Sequence, residues 1–200
     1  MMILYTNTTS PYSRLVRIAW REKGLAREIE ERVIDPWGGA PDFLRANVHE
    51  RVPALMTDDG HGISESGLIL HWLERHAPEP ALYPARALGA VLQRAASAMG
   101  AIDVMAAIII SRKSNPDFDT HFMGQKRFRT LSAALDRLEQ DPPADLAESA
   151  DIAAIATAVA LDYAPFRFPD TDWLGPRPAL AAWRARQAGR ASLEETMPFE

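Results

Sequence analysis

The chain has 200 residues, 47% hydrophobic and 24% charged, the balance of an ordinary globular protein with length for a sizeable core. Its net charge of −5 is spread along the chain in both signs, which leaves no electrostatic footprint for nucleic acid or an anionic membrane. It has no cysteine, which excludes disulfides, thiolate metal sites, a cysteine nucleophile and dithiol redox chemistry, so any sulfur chemistry must come from a bound thiol.

Taken in order, Met1-Met2-Ile3-Leu4 begins directly as a strand, with none of the charged and apolar layout of a leader. No uninterrupted apolar run approaches the roughly 18–20 residues of a bilayer span. A cytoplasmic protein is expected. Ile3 to Thr6 forms the first strand, and Pro11 suits the first position of a helix, where its missing N–H costs little. Leu15, Val16, Ile18, Ala19 and Trp20 face inward from that helix, while Arg14, Arg17 and Arg21 fall on one outer stripe. Lys23-Gly24 ends it. A second strand is expected around Ile29 to Ile34, then a Pro- and Gly-rich loop from Pro36 to Pro41 and a short helix near Phe43 to Ala46.

From Arg51 to His76 the pattern is denser. Val52-Pro53 enters a strand over Ala54 to Met56, and Asp58-Asp59-Gly60-His61-Gly62 reads as a hairpin turn whose glycines supply positive φ. Ser64-Glu65-Ser66 then heads a helix with Ile69, Leu70 and Leu73 on its apolar face. Small hydroxyls before such a run are N-cap chemistry, and the free N–H groups and dipole there attract a carboxylate. The order is β-α-β-α-β-β-α, ending near Ala77.

Three prolines between Pro78 and Pro84 mark a linker. Beyond it the chain turns helical: Leu88 to Ile109 keeps a helical period, Ser114-Asn115-Pro116 breaks it, and Phe128 to Leu138 gives the next helix. Asp151 to Tyr163 is apolar almost throughout, as in a helix buried on all sides. Pro178 to Trp183 marks a final helix before an irregular tail. The five histidines (His49, His61, His71, His76 and His121) form no metal-ligand pattern, so no metal site is expected. Dinucleotide, P-loop and serine-hydrolase motifs are absent.

Thr9-Ser10-Pro11-Tyr12-Ser13-Arg14 is a strand-to-helix turn. Ser10 as N-cap, Pro11 at the first helical position and Ser13 in the first turn explain the residues as helix chemistry alone. A functional reading adds that the Ser10 hydroxyl points out of the helix start toward a bound thiolate.

V-P-A-L, a hairpin, then E-S and an I-L-x-W-L helix resembles the glutathione-binding half of the cytosolic glutathione transferases, and S-P-Y-S-R-L-V-R-I supports this. S-A-D-I-A-A-I-A-T-A resembles that family's buried-helix signature, although Glu148 stands where a Ser or Thr cap is usual. The resemblance extends over essentially all 200 residues. It implies an α/β thioredoxin-like N-terminal domain followed by an all-α C-terminal helical domain. Residues 1–77 would be the glutathione-binding domain, 78–85 the linker, and 86–200 the helical domain, forming the electrophile pocket and part of a homodimer interface.

By the same resemblance Ser10 sits where serine-type members carry their catalytic hydroxyl, with Ser13 and Tyr12 as alternatives. Val52 would offer its backbone to the cysteinyl unit of glutathione, beside a cis Pro53. Ser66 would hold the γ-glutamyl carboxylate and Glu65 the ammonium, with Arg51 at the glycyl carboxylate. N-V-H-E-R-V-P departs here from the family's N-P-x-G-K/R-V-P, and His49 and Trp37 are possible substitutes for the glycine-end contact. Met105, Ile108, Ile109, Arg112, Phe118 and Phe122 are candidates for an acceptor pocket between the domains, with core packing as their alternative role. The resemblance implies conjugation of glutathione, as co-substrate, to a small electrophilic apolar compound, without a metal or organic cofactor. Other readings are a non-catalytic binding protein like the stringent-starvation regulators, and a glutathione-dependent isomerase or dehalogenase.

Overall fold

Strand β1 (Met2–Thr6) lies at the centre of a four-stranded sheet of order β2-β1-β3-β4. It runs parallel to β2 (Ile29–Val33), and such a pair needs a crossover, which helix α1 (Pro11–Glu22) supplies. Strand β3 (Ala54–Met56) pairs antiparallel with β1 and with β4 (Gly62–Ser64). Strand residues alternate between faces. Tyr5 and Ala54 meet Phe43 and Ala46 of helix α2 (Pro41–Ala46), so Leu4 and Leu55 face the other way. Leu15, Val16, Ile18, Ala19 and Trp20 of α1 are buried, as are Ile69, Leu70 and Leu73 of helix α3 (Ser66–His76).

Glycines divide the work in the β3–β4 hairpin. Gly60 takes φ 88°, as the turn requires. Gly62 does not: it opens β4, and a Cβ there would stand 2.5 Å from the Ala46 carbonyl oxygen. Its lack of a side chain serves the approach of α2, not the turn.

The structure, a computed structural model, describes residues 1–200 and divides into two units: Met1–Leu82 with Gly189–Glu200, and Tyr83–Ala188. Residues 189–200 thus group with the sheet, and the tail contains a short helix, α8 (Ala191–Glu194), where irregular chain was expected. In the first unit Lys23 fastens the exit of α1. Its fully buried ammonium donates to Glu74 Oε2 (2.8 Å) and to the Ala77 (2.6 Å) and Pro80 (2.8 Å) carbonyls.

The second unit is helical: α4 (Leu88–Ser114), α5 (Phe122–Gln140), α6 (Ile152–Arg167) and α7 (Pro178–Arg186), with α5 and α6 packed along α4. By length and hydropathy alone α4 could cross a membrane, although Arg94 and Asp103 interrupt its apolar run. Helix α6 is buried from Ile152 to Ala164. The residue at position 148 leaves no gap in its capping. Asp151 is itself the N-cap, accepting the N–H groups of Ala153 and Ala154 at 3.0 Å, and Ser149 Oγ donates to its second oxygen at 2.9 Å. Helix α7 has no cap of its own, and Glu139 of α5 accepts the Ala179 and Leu180 N–H groups instead.

Candidate functional site

The register of the sheet gathers the expected positions. Ala54 stands opposite Tyr5 on one side and Ser64 on the other. Three segments therefore emerge at the same end of the sheet: residues 7–10 leaving β1, 51–53 entering β3, and 65–66 leaving β4. A recess of about 550 Å³ lined by Ile3, Tyr5, Arg32, Asp42, Arg45, Met56 and Gly60 contains none of these residues and reaches toward the opposite end.

Ser10 is the N-cap of α1, extended at φ −78° and ψ 119°, as a residue before proline prefers. Its Oγ accepts the Ser13 N–H at 3.2 Å, and its own N–H donates to Asn7 Oδ1 at 2.8 Å. A hydroxyl that accepts a helix N–H keeps its hydrogen for a further partner. Ser13 is different: it is fully buried, and its Oγ has no partner. Tyr12 is half-buried.

The loop into β3 is organised by Asn47. Its Oδ1 accepts the His49 N–H at 2.9 Å and its Nδ2 donates to the Arg51 carbonyl at 2.6 Å. Glu50 occupies the family's glycine position yet keeps the left-handed backbone, with φ 54°. The loop therefore holds its turn without the glycine, at a cost of roughly 1–2 kcal/mol in local strain. The Val52–Pro53 peptide is cis. Val52 makes no backbone hydrogen bond within the chain, which leaves its peptide edge open.

At the third segment the helix-capping expectation needs correction. Glu65, not a serine, is the N-cap of α3; it has φ 70° and forms no side-chain cap, and Ser66 is the first helical residue. The first N–H groups of α3 are accordingly uncapped by side chains. Arg51 Nη2 meets Glu65 Oε1 at 2.7 Å. Trp37 is 81% exposed and His49 is also exposed, neither joining this pair. Of the acceptor-pocket candidates, Met105 and Ile108 are fully buried and Phe118 nearly so, which makes them core; Ile109 and Arg112 are half-exposed and Phe122 is exposed. Arg112 is held by a bidentate pair to Asp119 at 2.9 and 2.6 Å.

Two solved structures of a glutathione transferase family member from Pseudomonas fluorescens superpose on the whole chain and cover all of theirs. One, with bound glutathione, is 29% identical with a TM-score of 0.87; the other, with bound S-(propanoic acid)-glutathione, is 30% identical with a TM-score of 0.84. The chain belongs to the glutathione transferase superfamily. The family model for the glutathione S-transferase N-terminal domain matches residues 4–81. A maleylacetoacetate isomerase of Pseudomonas aeruginosa is 35% identical over 106 residues, 52% of this chain and 50% of that protein. The match thus spans half the length of that relative.

The Ser10, Val52-Pro53 and Glu65-Ser66 motifs stand out in the sequence, and the register brings them to one end of the sheet. Asn7 and Asn47 were missed. Each is an Asx residue near a turn, the one signal that would have pointed to side-chain bonding of the local backbone.

Proposed function

We propose that this chain is a cytoplasmic glutathione transferase that joins the glutathione thiolate to a small electrophilic apolar compound, with Ser10 stabilising the thiolate. One observation carries this reading: the Ser10 hydroxyl accepts the Ser13 N–H at 3.2 Å and retains its own hydrogen. Accepting that bond polarises the hydroxyl and makes it a better donor. A charge-assisted hydrogen bond to sulfur is worth ~1.5–3 kcal/mol, or about one to two pKa units. With the dipole at the start of α1, it brings a thiol of pKa about 8.5 close to neutrality. The thiolate sulfur then attacks the electrophilic carbon, forming the S–C bond as the bond from that carbon to its leaving group breaks and the electron pair departs with that group, while the thiol proton passes to solvent.

The remaining contacts follow the chemistry of the tripeptide. Val52 offers an N–H and a C=O to the cysteinyl unit, Ser66 and the α3 N–H groups take the γ-glutamyl carboxylate, and Glu65 takes its ammonium. Arg51 serves the glycyl carboxylate once its 2.7 Å pair with Glu65 opens. No residue in this scheme calls for a metal or an organic cofactor. Exposed Leu88, Leu92 and Ile110 on α4 support pairing with a second copy of the chain. A single monomeric species in sedimentation at micromolar concentration would reject the dimer.

The likeness to a maleylacetoacetate isomerase favours a second reading, in which glutathione adds to an unsaturated substrate and is released again. The two differ in stoichiometry: conjugation consumes one glutathione per turnover and isomerisation consumes none.

Calorimetric titration tests binding, and no heat at millimolar glutathione would move the assignment to a non-catalytic binding protein. A near-ultraviolet pH titration of bound glutathione tests the serine. Ser10→Ala should raise the bound thiol pKa by about one to two units and lower turnover at neutral pH roughly ten- to a hundredfold. A shift with Tyr12→Phe and none with Ser10→Ala would assign the hydroxyl to Tyr12.

A further inference from the structure

Arg14, Arg17 and Arg21 recur at helical spacing, which reads from sequence as a solvated cationic stripe. The C-terminal segment covers it. Arg14 is 3% exposed: its Nε donates to Thr196 Oγ1 at 3.3 Å, and its Nη2 reaches the Leu193 carbonyl and Met197 Sδ, both at 3.2 Å. Arg17 donates to Glu31 at 2.7 Å and to the Glu195 carbonyl at 3.4 Å. Arg21 joins Glu31 to the Glu195 carboxylate, the latter at 2.9 Å. At the far end of α1, Glu22 receives a bidentate pair from Arg190 at 2.8 and 2.6 Å and the Ser192 hydroxyl. One face of α1 is thus bound along its length to residues 190–197.

The near end of this strap adjoins Ser10. The Arg14 N–H donates to the Ser10 carbonyl at 3.1 Å, closing the same turn in which Ser10 Oγ accepts from Ser13. The other end of the contact is equally fixed. Thr196 is buried, and its Oγ1 donates to the Ser192 carbonyl at 2.7 Å while accepting from Arg14. A hydrogen bond to sulfur weakens steeply with angle and distance, so small shifts of the first turn of α1 change what Ser10 delivers.

We propose that the C-terminal segment sets the position of the Ser10 hydroxyl through the Thr196–Arg14 contact, which makes Arg14 a positioning residue for the thiolate site. This rests on the assignment of Ser10 made above. Arg14 does not touch the ligand in this scheme. It locks the rotation and slide of the helix turn that carries the hydroxyl.

The test compares four variants of the full chain by the near-ultraviolet pH titration of bound glutathione and by thermal melting. Thr196→Val keeps the shape and removes the acceptor; Arg14→Lys keeps the charge and removes the planar fork. Both should raise the bound thiol pKa by about half to one unit and lower turnover at neutral pH roughly three- to tenfold. Turnover should recover at alkaline pH, and glutathione affinity well below the thiol pKa should hold, which a merely structural contact would not produce. Glu22→Gln cuts the far end of the same strap and should lower the melting temperature without moving the titration. A lowered melting temperature with an unmoved titration in Thr196→Val and Arg14→Lys overturns the proposal. So does an equal shift in Glu22→Gln, since overall helix stability would then be the cause. Ser10→Ala, run in parallel, separates the two levels. If it alone moves the titration, only the positioning role fails; if it does not, the serine assignment fails and the positioning role with it.

Discussion

Arg51 and Glu65 meet at 2.7 Å although 14 residues separate them, one entering the β3–β4 hairpin and the other leaving it. Both side chains are more than half exposed, at 67% and 56%, so the pair contributes little to stability. Its consequence is positional: one cation and one anion are held together at the end of the sheet where Ser10 and Ser66 also lie. Glutathione carries both signs, two carboxylates and an ammonium.

Arg51→Gln should therefore leave the melting temperature nearly unchanged and weaken glutathione binding several-fold by calorimetry. Ser66→Ala should weaken it by about 1–3 kcal/mol, the loss of a charge-assisted hydrogen bond. An Arg51→Gln protein that binds normally but melts early would make the ion pair a structural brace.

Ser13 gives the opposite sign. Its buried Oγ has no hydrogen-bond partner, a desolvation cost that alanine removes. Ser13→Ala should leave stability unchanged or raise it by up to about 1 kcal/mol in urea titration. The pH titration of bound glutathione should not move.

Glu50 supplies a stabilising substitution. At φ 54° an L side chain is strained, while glycine adopts that backbone readily. After allowance for the greater entropy of an unfolded glycine, Glu50→Gly should add about 0.5–1 kcal/mol. A lower urea midpoint would mean that the Glu50 side chain contributes more than its backbone costs.

Lys23 tests how the exit of α1 is tied down. Its ammonium has three acceptors, and Glu74 Oε2 also accepts the Leu82 N–H at 3.0 Å. Lys23→Met fills the volume but takes the cation from the Glu74 carboxylate and the donor from two carbonyls, and should cost about 3 kcal/mol. A loss under about 0.5 kcal/mol, typical of surface pairs, would show that Glu74 finds water instead.

What the chain determines locally was legible without coordinates. Pro11 and Gly24 bound α1, the short apolar run from Ile3 to Thr6 marks β1, and the apolar stretch after Asp151 marks the buried α6. The Ser10-Pro11, Val52-Pro53 and Glu65-Ser66 motifs, the candidate site, were legible because each depends on neighbours within a turn or two. The tertiary structure decided the rest. Spacing separates Ser10 from Ser13 by less than one turn, but only packing buries Ser13 and leaves Ser10 at the helix end. Gly62 reads as a turn residue until the Ala46 carbonyl is seen against it. The arginine stripe of α1 reads as solvated because burying unpaired charge is costly. Its C-terminal partners, Glu195, Thr196 and the Leu193 carbonyl of α8, lie more than 170 residues away. Periodicity reports that a face exists; which distant segment comes to cover it depends on contacts that no local pattern encodes.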